Sequence, residues 1–351
     1  MDIREYLQLT VAKNASDLHL IVGVPPMLRV EGNLFPIPNE PVLTADQMLL
    51  HLKGVLASDQ IERLSVNKEI DFSLSFSDKA RFRVNAYTQK GSAAAAFRRI
   101  PLEIPPIDSL NLPPVVHNFT TPRQGFILVT GPTGHGKSTT LASILEEINR
   151  TRATHIVTIE DPVEFIFKPN KSIISQREMH QDTHSWTVAL RSVLREDPDV
   201  VLIGEMRDYE TIAAALTIAE TGHLVFATLH TNSAAQTVDR IVDVFPEEQQ
   251  SQVKLQLSNV LEAVFSQRLV PGLSGGRVIA YELMLATNAI RTAIREGKTH
   301  QIDSIMETSS DVGMKTIEST LADLVKIGKI SVEQAQAFAL RPDELTRLLH
   351  K

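Results

Sequence analysis

Residues 131–138 read Gly131-Pro-Thr-Gly-His-Gly136-Lys137-Ser138 and fit G-x-x-x-x-G-K-[ST] without a mismatch. In such a loop the glycines let backbone amides converge on phosphate oxygens. The lysine reaches the β- and γ-phosphates, and the hydroxyl ligates Mg²⁺. The chemistry implied is binding of a nucleoside triphosphate. The expected cofactors are ATP and Mg²⁺, held by Gly131, Pro132, Thr133, Gly134, His135, Gly136, Lys137, Ser138 and Thr139.

Two acids end apolar runs further along. Glu160-Asp161 follows Ile156–Ile159, and Glu205 follows Val200–Ile203 and Gly204. In an open parallel sheet the ligand lies beyond the carboxyl ends of the strands, so both ends are expected to face the γ-phosphate. Phosphoryl transfer to water needs a held Mg²⁺ and a water oriented in line, and a carboxylate can serve either need. The alternative is that each acid merely caps the next turn. Asp199 stands before its strand, at the wrong end for a Walker B carboxylate. Glu205 is therefore the better candidate, with Ser138, for the metal.

His223 and His230 flank the fourth apolar run, seven residues apart. On one straight strand they would point to opposite faces, which argues against a shared metal. His230, at the carboxyl end, is the better γ-phosphate sensor; a hydrogen-bonded structural role is the alternative for both. Arg81, Arg83, Arg98 and Arg99 fall on expected strands of the N-terminal part. They are either solvated or reach a nucleotide bound in a neighbouring subunit, and composition does not choose. Ala289–Lys298 reads as a short helix closed by Gly297, with Arg291 and Arg295 on one face. That face is either solvated or meets a partner.

These residues need a scaffold. The apolar runs 125–130, 154–159, 200–203 and 224–229 alternate with helical stretches that include 186–195 and 209–220. This pattern implies a parallel sheet with helices on both faces. Roughly the last seventy residues read as mostly helical. Before residue 100 the pattern is α+β. Strands are expected at 16–20, 26–30, 71–76 and 81–87, with a turn at Ser77-Asp78-Lys79, and one helix over 44–64 opens on Thr44. Five prolines between residues 100 and 114 oppose helix and central strand, which places the domain boundary there. The expected domains are 1–99, a linker 100–117, and 118–351.

The 351 residues carry 42 acids and 35 bases, a formal charge of −7. That disfavours nucleic acid or an anionic bilayer as the main partner. With no cysteine, thiolate zinc sites, disulfides and cysteine nucleophiles are excluded. No run approaches the roughly 20 apolar residues of a bilayer span, and Met1–Glu5 carries early acids rather than an apolar signal core. A cytoplasmic protein is expected, which would serve a membrane machine only by docking.

Taken together, these segments resemble the secretion ATPase superfamily of hexameric traffic motors, and within it the branch that retracts type IV pili. Ser16–Leu20 is similar to the opening of the family's N-terminal domain, and Gly131–Thr139 to its Walker A loop. Thr158–Phe165 resembles its Asp box, Leu202–Asp208 its atypical Walker B, and Thr221–Asn232 its His box. Ala289–Lys298 resembles the retraction-type motif A-I-R-x-x-I-R-E-G-K, with Thr292-Ala293 in place of Asn-Leu. Assembly-type relatives carry a tetracysteine element, which this chain lacks.

The resemblance implies an α/β protein: a PAS-like α+β domain, then a RecA-like P-loop ATPase domain with a helical C-terminal region. It implies that Glu160 orients or deprotonates water, that Glu205 supports metal and water, and that His230 senses the γ-phosphate. It implies that Arg83 and Arg98 reach across to a neighbour's nucleotide. The implied setting is a homohexamer at the cytoplasmic face of the inner membrane, docked on a pilus platform protein and the pilus machinery.

Overall fold

A computed structural model describes residues 1–76, 80–100 and 103–350. They divide into two compact units, Met1–Glu103 with Pro162–Ile166, and Ile104–Asp161 with the chain from Phe167 onward. The expected turn at 77–79 lies outside the described residues.

The first unit contains α1 (Ile3–Ala12), β1 (Asp17–Ile21), β2 (Met27–Val30), β3 (Asn33–Pro36), α2 (Ala45–Lys53), α3 (Ser58–Asn67), β4 (Glu69–Phe76), β5 (Ala80–Gln89) and β6 (Ser92–Ile100). The strands form one antiparallel sheet in the order β3-β2-β1-β6-β5-β4. Side chains alternate across a strand. Leu18, Leu20, Phe82, Val84, Ala86 and Phe97 are buried in a core that also takes Tyr6, Leu7, Met48 and Leu52 from the helices. Asp17, Arg83 and Arg98 fall on the other face, where Asp17 is paired with Arg98 and Arg83 with Arg98 in register.

The single helix expected over 44–64 is two helices. Thr44 does open the first, closing a capping box with Gln47. The helix stops at Gly54, where a Cβ would stand 2.9 Å from Ile3 Cγ2. The glycine lets α1 approach, and a new helix starts when the Ala57 amide donates to Gln60 Oε1.

The second unit contains β7 (Gly125–Thr130), α4 (Lys137–Thr151), β8 (His155–Glu160), β9 (Ile173–Glu178), α5 (Trp186–Val193), β10 (Val200–Ile203), α6 (Tyr209–Glu220), β11 (Leu224–Leu229), α7 (Ala234–Asp243), α8 (Glu247–Val260), β12 (Leu261–Pro271) and β13 (Arg277–Leu285). Helices α9 (Asn288–Arg295), α10 (Ile302–Glu307), α11 (Ile317–Lys326), α12 (Val332–Phe338) and α13 (Pro342–Leu349) follow. The sheet order is β13-β12-β7-β11-β10-β8-β9. Every neighbouring pair is parallel except β12/β13. All residues of β7, β10 and β11 are buried, as strands covered on both faces must be.

Strands β9, β12 and β13 add to the four apolar runs read from the sequence. Most of the proline-rich stretch belongs to this unit. Ile107–Leu110 and Pro114–Thr120 are 3-10 turns. Ser143 Oγ on α4 donates to the Pro105 carbonyl at 2.6 Å, and His117 lies 2.9 Å from Glu147 on the same helix.

Candidate nucleotide-binding site

The phosphate loop leaves β7 and enters α4. Gly131 has φ +136, and a Cβ there would lie 2.3 Å from the Gln267 carbonyl oxygen of β12. No side chain fits that approach. Gly134 and Gly136 are also at positive φ, +79 and +86. Gly136 is the N-cap of α4 and brings no capping side chain. The first-turn amides of α4 therefore point at the loop's hollow, the arrangement that receives phosphate. Lys137 is buried, and its Nζ donates to the carbonyls of Gly131 (2.8 Å) and Pro132 (3.1 Å). These bonds hold an ammonium over the loop where phosphate charge would arrive.

The loop is braced from one side by β12 and β13. Gln267 Nε2 donates to the His135 carbonyl at 2.7 Å, and the Leu269 amide donates to His135 Nδ1 at 2.9 Å. Arg277 donates to the Gly134 carbonyl at 3.2 Å. Because Nδ1 accepts, His135 is neutral with its proton on Nε2. Burial, then Arg268, Lys137 and Arg277, hold its pKa below the usual histidine value.

Across the loop, the ends of β10 and β11 bring three groups together. Glu205 Oε1 lies 3.0 Å from His230 Nε2, and Arg207 donates to Glu205 Oε2 at 2.8 Å. His230 Nδ1 lies 3.3 Å from Thr133 Oγ1 of the phosphate loop. A carboxylate only accepts, so His230 carries its proton on Nε2 and Nδ1 accepts from the threonine hydroxyl. Burial and the nearby Lys137 and Arg207 lower the His230 pKa against the opposing pull of Glu205. Burial works to raise the Glu205 carboxyl, but the Arg207 hydrogen bond and charge, with His230 and Lys137, bring it below the ordinary value. The site thus holds an ionised carboxylate and a neutral imidazole.

Glu160 closes the neighbouring strand β8. Its Oε1 accepts from Thr158 Oγ1 at 2.7 Å and from Gln176 Nε2 at 3.4 Å. Gly204 sits against its backbone, where a Cβ would come 3.2 Å from Glu160 Cα. Both acids therefore stand at adjacent carboxyl ends of the sheet. Asp199, at the other end of β10, accepts from the His155 amide at 2.8 Å, a structural bond. His223 lies before β11, against the Ile218 carbonyl (3.0 Å) and Thr221 Oγ1 (3.1 Å). His223 and His230 thus occupy opposite ends of one strand.

Arg83 and Arg98 belong to the first unit. Arg98 Nε donates to Asp17 Oδ1 at 2.9 Å, and Arg83 lies 3.7 Å from Glu164. Arg291 is not a surface cation: it binds Glu262 at 2.9 Å and the Ser258 carbonyl at 2.7 Å, fixing the α8–β12 corner. Arg295 stays exposed. Several contributors have no counterpart among the expected site residues, among them Arg207 and Gln267. Arg207 carried a signal, a cation two residues from Glu205; Gln267 sits 131 residues past Gly136 with none.

The type II/IV secretion system protein family model matches residues 1–337. The chain is 48% identical over 343 residues to the type IV pilus retractation ATPase PilT of Pseudomonas aeruginosa, covering 98% of this chain and 99% of that one. It is 47% identical over 322 residues to a twitching motility protein of Neisseria gonorrhoeae, covering 92% and 86%. A crystal structure of the pilus retraction motor PilT with bound ADP superposes with a TM-score of 0.92 at 46% identity, covering 99% of each chain. The expected fold class, an N-terminal α+β unit and a C-terminal α/β nucleotide-binding unit, stands. The chain is a P-loop ATPase of the type II/IV secretion system protein family.

Proposed function

We propose that this chain is the ATP-hydrolysing motor that powers type IV pilus retraction, as a homohexamer docked from the cytoplasmic side on an inner-membrane pilus platform. The observation that carries the reading is near-full-length similarity to a named retraction ATPase, joined to an intact phosphate loop. The 289–298 motif and the absence of cysteine favour retraction over assembly. Docking rather than insertion accords with the described residues, where no helix is long and apolar enough to cross a membrane.

Residues 131–139 are proposed to hold ATP, and the donor set suits Mg²⁺: a hydroxyl at Ser138 and an ionised carboxylate at Glu205, both oxygen ligands. When bound, the ion neutralises charge on the phosphates. Lys137 then exchanges its loop carbonyls for phosphate oxygens. Glu160 accepts the proton of, or orients, the attacking water. His230 turns from Glu205 and Thr133 to donate Nε2–H to the γ-phosphate. Arg83 and Arg98 are proposed to complete the site from a neighbouring subunit.

Lys137→Ala is expected to abolish ATP turnover in a phosphate-release assay; wild-type turnover would refute the assignment of the loop. For the cellular role, a null strain should carry surplus, non-retracting pili that this chain restores to retraction. Bald cells would point to assembly instead.

A further inference from the structure

The buried groups of the second unit include a carboxylate outside the nucleotide site. Glu282 of β13 is 1% exposed. Its Oε1 accepts from the Ala234 amide at 2.7 Å, and its Oε2 accepts from the Ile317 amide at 3.4 Å. Those amides are the first residues of α7 and α11. One carboxylate thus accepts from the N-terminal turns of two helices, both of which favour negative charge there.

The helices differ in what they lead to. α7 begins four residues after His230. The intervening chain is held tightly: Asn232 N–H donates to Gln236 Oε1 at 2.7 Å, and Thr231 Oγ1 lies 2.6 Å from Thr237 Oγ1. α11 opens the last three helices, and its lead-in pairs with β13 one residue beyond Glu282 through reciprocal Leu283–Lys315 bonds of 2.8 and 3.0 Å. Glu282 is also in register with Ser266, which touches Thr130 at 2.7 Å, the residue before the phosphate loop.

We infer that Glu282 is a positioning residue that couples the His230 segment to helix α11, so that nucleotide state at His230 is felt by the C-terminal helices. The inference rests on His230 acting in the site. Burial pushes the Glu282 carboxyl up to about 7; the Ala234 and Ile317 amides oppose this, and the neighbouring Asp303 and Glu318 add to it. Arg268 is the cation whose field it shares. The Glu282 carboxylate joins, through its two oxygens, helix ends that otherwise have separate caps, Ser233 on α7 and Thr316 on α11. Glutamine does not replace it: whichever way the amide turns, its NH₂ faces one of the two N–H groups.

The test compares Glu282→Gln, His230→Ala and the double variant in steady-state ATP hydrolysis. Glu282→Gln is expected to lower kcat about ten- to a hundredfold with KM nearly unchanged, as for a displaced catalytic group. It should lower it no further in the His230→Ala background. Wild-type kcat in Glu282→Gln, or additive losses in the double variant, overturns the inference. Wild-type kcat in His230→Ala defeats the sensor reading instead. Hydrogen exchange on the unmodified chain, with and without a non-hydrolysable ATP analogue, then decides the coupling, and does so too where Glu282→Gln does not fold. Protection should change together at 230–236 and 317–321. A change at 230–236 with none at 317–321 overturns it.

Discussion

At neutral pH Glu205 is ionised and His230, although Glu205 favours its charged form, is neutral. The histidine is neutral because burial and two nearby cations disfavour a second proton. Burial and the two cations hold its pKa below the usual histidine value, so hydrolysis should hold through neutral pH and fall only in acid as the imidazole charges. In a His230→Gln variant the residual rate should lose that acid limb; a limb unchanged in a pH–rate profile would assign it elsewhere. Glu205 stays ionised across this range and adds nothing to the fall.

The residue types were readable at this scale because strand-end acids follow from apolar runs. The spacing of Glu205 and Arg207 was a signal, but the geometry of their pair was not readable. It depends on the turn after β10, where the Met206 amide is tied to the Thr228 carbonyl and Thr228 Oγ1 to the Gly204 carbonyl. Such bonds across neighbouring strands have no local sequence signal.

At the scale of elements, β12 decides the shape of the phosphate loop. Gly131→Ala would set a methyl carbon 2.3 Å from a backbone oxygen at a φ that L residues avoid. A loss of about 3 kcal/mol in stability, with loss of nucleotide binding, is expected from overpacking and strain, to be measured by denaturant unfolding and nucleotide titration.

A second element-scale joint is Arg341, ahead of α13. It pairs with Glu318 (2.7 Å), Asp303 (2.9 Å) and Glu344 (3.0 Å), while Glu318 is fully buried. Arg341→Ala leaves that carboxylate its backbone donors, the amides of Leu340 and residue 341, but removes its paired cation, and should cost roughly 3 kcal/mol by urea unfolding. An effect under about 0.5 kcal/mol, that of an exposed pair, would refute this account.

The strands β7, β8, β10 and β11 were legible because burial on both faces makes each a continuous apolar run. β12 was not, since it continues from α8 without a turn signal and carries Ser266, Gln267 and Arg268 in its middle. The α2–α3 break was missed for a different reason: Gly54 is needed by the approach of Ile3, more than fifty residues earlier.

On the scale of the whole molecule, the proposed function divides the site between chains. Arg98 presents only Nε to Asp17, and its side chain remains 72% exposed, so the guanidinium fork is turned outward. Arg98→Ala and Lys137→Ala should each be inactive when assayed by themselves. Mixed and reassembled, they should regain part of the hydrolysis rate, because some interfaces then join an intact loop to an intact arginine. No recovery in a verified mixed ring would place the arginine elsewhere. In composition a proline cluster stands where the pattern changes from α+β to α/β. That Ile104 onward folds with the second unit was not legible there, because it depends on α4 offering Ser143 and Glu147 to the passing chain.

The bracing of the phosphate loop also bears on time. Gln267, Leu269 and Arg277 tie the loop's carbonyls and its histidine to β12 and β13. A loop backbone held in this way leaves only the Lys137 and His230 side chains to rearrange before capture succeeds. Nucleotide should therefore enter at the rate of ordinary docking encounters, about 10⁵–10⁷ M⁻¹s⁻¹. At millimolar ATP, refilling would then be over in tens of milliseconds at the slowest, and the pace of the motor would be kept by later events.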